Sequence, residues 1–273
     1  LPRRREGAFG AVLQQSLRYG FRSRWTKGIF IASWIPALVF CAIIYVRYSL
    51  PGGFGGRDVN AFEFGLPWYR GLFLAEEFWI TVPACVVGAG LLAEDRKANA
   101  LELLFARPLT RLHYLAGKAV ALVAFLFVVT GLPSIVVWLF DVLVAPGWSR
   151  LQETWDWPLR FALFGLVLSA ATSLLTLALS SVAKRGLYAA AYFAILYFLS
   201  VPVGQTLGWI TESRSLRAIG YLTTLNSVGS EILGLFPGAH EPPFASALAV
   251  LLGAALASAA VVWTRTRPTE VVR

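Results

Sequence analysis

The chain has 273 residues, of which 57% are hydrophobic and 14% charged, with a formal net charge of +9. Its apolar residues come in long runs rather than in a helical or alternating pattern, which excludes a soluble globular domain and marks an integral membrane protein. The excess of Lys and Arg sits in short clusters between those runs, so it reads as a topology signal and not as a nucleic-acid surface.

Ahead of the first run, Phe9, Val12, Leu13, Leu17 and Phe21 form an apolar stripe at helical spacing, with Gln15, Arg18 and Arg22 opposite. This predicts an amphipathic helix over 8–27, lying at the membrane interface with its basic face toward anionic headgroups on the cytoplasmic side. About 20 residues are needed to cross roughly 30 Å of hydrocarbon, and the first span is expected over 29–46. The segment that follows, with PGGFGG and Pro67-Trp68-Tyr69, has turn chemistry. The second span is expected over 72–93, with Glu76 and Glu77 near its outer end. Those carboxylates either sit at headgroup level or line a substrate vestibule.

Residues 94–111 interrupt the apolar pattern with the longest charged stretch between two spans. Ala98, Leu101, Leu104 and Phe105 recur at helical spacing, while Asp95, Asn99 and Glu102 fall largely on the other side. Pro108 lacks an N–H donor and pushes Arg107 out of the α region, which stops this short helix. Thr110 is placed to cap the helix that re-enters the lipid.

The third span is expected over 119–140, with a kink at Gly131 and Pro133. Trp148, Trp155 and Trp157 then form an interfacial belt. The fourth span, 161–183, places Ser169, Thr172, Ser173, Thr176 and Ser180 on one face, a stripe that either hydrogen-bonds a neighbouring helix or lines a polar translocation path. The fifth span is expected over 186–204. Residues 205–243 are mixed, and a pair of short re-entrant or interfacial helices suits them better than a full crossing. The last span, 244–263, repeats Ala245, Ala249, Gly253 and Ala257 every fourth residue, a close-packing face. With six spans, 17 of the 24 Lys and Arg residues fall on the side that holds both termini, which fits a cytoplasmic placement of both ends; the plasma (inner) membrane is the expected location.

The pattern Glu94, then Leu101-Glu102-Leu103-Leu104, then Arg107-Pro108-Leu109-Thr110-Arg111, then Gly117-Lys118 resembles the loop between the second and third spans in permeases of the ABC-transporter type-2 exporter class. The family's usual Gly-Thr before Leu-Glu is replaced by Asn99-Ala100, and Asn also tolerates a left-handed backbone. The resemblance implies a coupling helix over 94–111 that docks on a cytoplasmic ATPase. Its contacts would be Glu94, Leu101, Glu102, Leu104, Phe105, Arg107, Pro108 and Arg111. It also implies an N-terminal elbow helix, short helices before the last span, and an assembly of two permease chains with two ATPase chains.

The rest of the sequence agrees with a non-catalytic subunit. There is no GxxxxGK phosphate cradle, HExxH or GxSxG, so ATP and Mg²⁺ are expected in a partner chain and no cofactor in this one. Cys41 and Cys85 lie in apolar runs and read as core residues; the lack of methionine argues against a copper(I) relay. No ionisable residue stands clearly in the middle third of an expected span, which argues against proton or sodium coupling. The sequence therefore points to the permease subunit of an ATP-driven exporter. The alternative is a membrane anchor that passes ATP-driven motion to a periplasmic partner.

Overall fold

The computed structural model describes residues 3–20, 24–49, 65–97, 110–236, 238 and 240–266. Among them, six helices are long and apolar enough to cross a membrane: Thr26–Ser49, Leu66–Lys97, Arg111–Val144, Trp157–Val182, Gly186–Ile210 and Phe244–Arg265. No strand occurs among the described residues, so the fold is all-α, as expected. Residues 98–109, and with them most of the expected coupling helix, lie outside the described residues. The end of the bundle that carries residues 94–118 is called proximal, the other distal.

The spans divide into two classes by burial. In the second, third and fourth, 61%, 56% and 61% of the most apolar window is buried, against 17%, 17% and 22% in the first, fifth and sixth. The chain therefore builds a three-helix core and surrounds it with three helices that leave broad apolar faces outward. The fourth span packs against every other span except the first, which packs on the second and third. Its closest crossing is with the third span, where a Cβ on Gly165 would lie 2.4 Å from the Cα of Gly131. Backbone contact of this kind requires glycine on both helices.

The second and third spans are longer than the sequence pattern suggests, at 32 and 34 residues. At 1.5 Å per residue these are about 48 and 51 Å, well beyond the roughly 30 Å hydrocarbon core. Pro67 sits in the first turn of the second span, where its missing N–H costs nothing, and so the helix starts at Leu66 rather than near 72. The second span also changes winding, with a π-helical segment Ala84–Gly88 immediately after Pro83. The third span runs on through Pro133 as one helix from Arg111 to Val144. Thr110 is its N-cap and accepts from the His113 N–H at 3.4 Å, as its position implies.

The N-terminal helix covers Arg3–Gly20, and the first span is helical over Arg24–Ala32 and Ile35–Ser49 with a turn between them ahead of Pro36. Val12, Ser16 and Gly20, one helical turn apart, are buried. Val12 meets Gly117, and Gly20 meets Val87 and Phe125. The apolar stripe of this helix thus rests on the second and third spans, with Arg18 turned outward. Within 205–243 the fifth span extends to Ile210, and a 3₁₀ turn Arg214–Ile219 and a helix Tyr221–Leu233 follow. At 13 residues, about 20 Å, that last helix is too short to cross. It ends on Gly234 at φ 70°, with Leu235 N–H donating to the Ser230 carbonyl at 2.8 Å, a left-handed C-terminal cap. Burial raises the Tyr221 phenol above its ordinary pKa, so this residue stays neutral at physiological pH.

Substitution of the glycines should separate the core from the outward faces. Gly165→Ala forces the third and fourth spans apart and should cost on the order of 1–3 kcal/mol. Gly253→Ala, with nothing within 4 Å of its new methyl, should change stability by about 0.5 kcal/mol or less. Thermal unfolding of the two variants in detergent gives the comparison.

Candidate functional site

The residues that flank 98–109 are tied together at the proximal end. Lys118 is buried on the third span, and Asp95 reaches it from the last turn of the second, Nζ to Oδ2 2.6 Å. The Lys118 ammonium also donates to the Leu91 carbonyl. Tyr114, one turn nearer to 98–109, donates its hydroxyl to the same Asp95 oxygen at 2.6 Å, and its ring lies 5.0 Å from the Lys118 ammonium. A buried ammonium must have its charge met and its hydrogen-bonding capacity filled, and here one carboxylate, one carbonyl and one aromatic face do so. Gly117, beside it, is where Val12 of the N-terminal helix fits: a Cβ there would lie 2.9 Å from a Val12 methyl. The Gly117-Lys118 pair therefore docks the N-terminal helix with one residue and fastens the second span with the next.

Two further cations close the same end. Arg96 donates to the Ser181 carbonyl at the end of the fourth span. The Arg111 guanidinium donates to the Trp263 carbonyl and lies 4.5 Å from the Trp263 ring centroid, so the first residue of the third span grips the last turn of the sixth. Of the residues implied to contact an ATPase, Arg111 is thus engaged with Trp263 and Glu94 is exposed. Leu101, Glu102, Leu104, Phe105, Arg107 and Pro108 lie outside the described residues.

The hydroxyl face of the fourth span is fully buried: Ser169, Thr172, Ser173, Thr176 and Ser180 are each 0% exposed. Ser169 pairs with Thr130 of the third span at 3.2 Å, and Thr176 donates to its own Thr172 carbonyl at 2.6 Å. Ser180 bonds three backbone groups of the second span. The Thr172 and Ser173 hydroxyls have no hydrogen-bond partner among the described residues. An open apolar groove of about 460 Å³ between the third and fourth spans, lined by Val120, Phe127, Leu163 and Leu166 among others, includes none of these hydroxyls.

Glu76 and Glu77 are 0% and 2% exposed. Because the helix begins at Leu66, they stand three turns inside it. Glu76 accepts from the Ser134 hydroxyl at 3.0 Å, and its other oxygen is unpartnered among the described residues. The Asn226 side chain lies beside Glu77, one of whose carboxylate oxygens is unpartnered among the described residues, while the Glu77 carbonyl accepts from the Tyr197 hydroxyl at 3.4 Å. The two carboxylates thus face different neighbours, Ser134 on the third span and Asn226 on the helix Tyr221–Leu233. Farther out, Asp141 is fully buried and accepts from Arg150 at 2.7 Å, Tyr69 at 3.2 Å and Tyr48 at 3.3 Å. This carboxylate joins the distal ends of the first three spans.

Sequence reasoning singled out Asp95 and Gly117-Lys118 as parts of a pattern but not as an ion pair, and it missed Tyr114 and Trp263. The available signal for the pair was one acidic and one basic residue at the mouths of consecutive antiparallel spans. Among the described residues no group of three or more His, Cys, Asp or Glu side chains could hold a metal ion.

Six membrane-length helices, the second and third running out of the apolar layer toward 98–109, can be set against known families. The family model described as ABC-2 family transporter protein matches residues 63–264. The chain belongs to that family. No curated protein matches it. An ABC-2 family member of this architecture is a multi-pass membrane subunit of an ABC transporter.

Removing one partner of the proximal pair strands the other. Asp95→Asn keeps an acceptor oxygen but leaves the charge of the buried Lys118 ammonium unmet, and should destabilise the protein by about 2–3 kcal/mol, below the full cost of a sealed pair because Asp95 retains solvent contact. The double variant Asp95→Asn with Lys118→Met should recover at least half of that loss in detergent unfolding.

Proposed function

We propose that this ABC-2 permease subunit works in an ATP-driven exporter whose motor is a separate cytoplasmic ATPase that binds ATP and Mg²⁺. It acts as one of two copies, multi-pass in the inner membrane, with both termini cytoplasmic. The observation that carries this reading is the proximal clamp: the two spans that bracket 98–109 are long, largely buried, and joined by Asp95, Lys118 and Tyr114. A segment held at both ends by an ion pair transmits a push into the three-helix core, instead of absorbing it in a loose loop. Arg111 extends the link to the sixth span through Trp263.

In this reading, Leu101, Leu104 and Phe105 give the apolar contact with the ATPase, and Glu102 and Arg107 the polar ones. ATP binding closes the motor, residues 94–111 move with it, and the spans part along a path toward the outer leaflet. The Ser and Thr face of the fourth span, with Glu76 and Glu77, is the polar surface available to such a path. In the closed arrangement it is packed against the second and third spans and the helix Tyr221–Leu233.

Glu102→Ala with Arg107→Ala should leave the chain folded and inserted but lower coupled transport at least tenfold, measured with the partner ATPase in proteoliposomes. Unchanged transport and unchanged ATPase binding would contradict the assignment. Full ATPase binding without any solute movement, together with retention of an extracytoplasmic protein, would favour the force-transmitting alternative.

A further inference from the structure

The second span does not cross the molecule as one rod. Pro83 has no N–H, so the Trp79 carbonyl lacks its α-helical donor. Over the next turn the chain underwinds into the π-helical segment Ala84–Gly88, with the Ala89 N–H donating to the Ala84 carbonyl. A proline followed at once by a π-turn is a recognised place for a helix to bend. It divides the span into a distal part, Leu66–Pro83, and a proximal arm, Ala89–Lys97, that leads directly into 98–109.

The arm meets the fourth span at two places: Arg96 near its end donates to the Ser181 carbonyl, and its root is held by Ser180. The Ser180 hydroxyl donates to the Ala89 carbonyl at 2.7 Å and accepts from the Leu92 and Ala93 N–H groups at 3.1 and 3.0 Å. One donor and two acceptor positions are all that a serine hydroxyl has, and each is spent on the backbone of the arm just beyond the π-turn. The surrounding fit is close but smooth. Ala89 packs with Ala183 and Ala189, Gly90 faces Gly186, and a Cβ on Gly88 would lie 2.7 Å from the Thr176 methyl. Around Ala89 and Gly90 the packed residues are small, so at the root of the arm the Ser180 hydroxyl supplies the directional hold.

We infer that Pro83–Gly88 is a hinge and that Ser180 is the positioning residue that holds the arm Ala89–Lys97 closed against the fourth span until the motor moves it. This assignment rests on the coupling role proposed for 94–111. Breaking three hydrogen bonds to a single side chain loosens the root of the arm, whose far end stays tied to the third span through Asp95 and Lys118 and so moves with it, without unpacking the distal part, which keeps its own bonds through Glu76 and Tyr69.

Amide hydrogen exchange of the full chain in nanodiscs tests the hinge without any ATPase. Ser180→Ala should speed exchange over 89–97 about tenfold and leave 66–82 unchanged. Ser169→Ala, which removes a hydroxyl from the same face, should leave 89–97 unchanged. Faster exchange spread evenly over both parts of the span, or none over 89–97, would overturn the inference. Should Ser180→Ala not fold, Pro83→Ala serves instead: restoring the N–H should slow exchange over 84–97, and unchanged or faster exchange would overturn the hinge. Adding the partner ATPase with a non-hydrolysable ATP analogue then tests the catch. Altered exchange over 89–97 supports it, and none with the ATPase bound overturns it. Failure of the ATPase to bind at all would remove the coupling reading, and the catch with it, while the result obtained without ATPase would still report whether the span bends.

Discussion

A lysine ammonium buried between two membrane helices is tolerable only where its charge is met, and at Lys118 the carboxylate of Asp95 meets it. Much of the proximal architecture depends on that requirement. The pair fixes where the second span stops relative to where the third begins, and so fixes the two points from which residues 98–109 hang. Tyr114 secures the same carboxylate, and Gly117 lets the N-terminal helix lie across the junction. Arg96 and Arg111 then tie it to the ends of the fourth and sixth spans. The N-terminal helix and the last turn of the sixth span thus both lie at the end that carries residues 94–118.

Beyond this junction the bundle is held by packing of small residues and by hydroxyls. Helices in lipid gain little from apolar burial as such, so close approach and interhelical hydrogen bonds decide which faces pair. The fourth span supplies both: Gly165 against Gly131, Ser169 against Thr130, Ser180 against the second-span backbone. The two orphaned hydroxyls, Thr172 and Ser173, lie between the last two of these contacts along the helix. At the distal end Asp141 plays the role that Asp95 plays at the other, gathering Arg150, Tyr48 and Tyr69 around a buried carboxylate. With both ends pinned, the irregular winding after Pro83 is the part of the core span with the most freedom to bend.

The span count and the short helices of 205–243 were legible because hydropathy and charge clusters report directly on the solvent a segment meets. Helix ends were less so. The second span begins at Leu66 because proline suits a first turn, and apolar periodicity says nothing of that. For the same reason Glu76 and Glu77, expected near headgroup level or in a vestibule, sit three turns inside a helix. The pairing of Asp95 with Lys118 was not legible, since it links residues across a loop and leaves no periodic trace. The serine and threonine stripe was visible as a face, while the distinct task of Ser180 appears only where the neighbouring backbone is irregular.

The central claim is that residues 98–109 face the compartment of the ATPase and are gripped by it. Glu102→Cys, in a chain with Cys41→Ser and Cys85→Ser, allows labelling by a membrane-impermeant thiol reagent in sealed vesicles of known orientation. The account predicts labelling from the cytoplasmic face alone, and protection once the ATPase is bound. Labelling from the opposite face, or labelling that the bound ATPase leaves untouched, would contradict it.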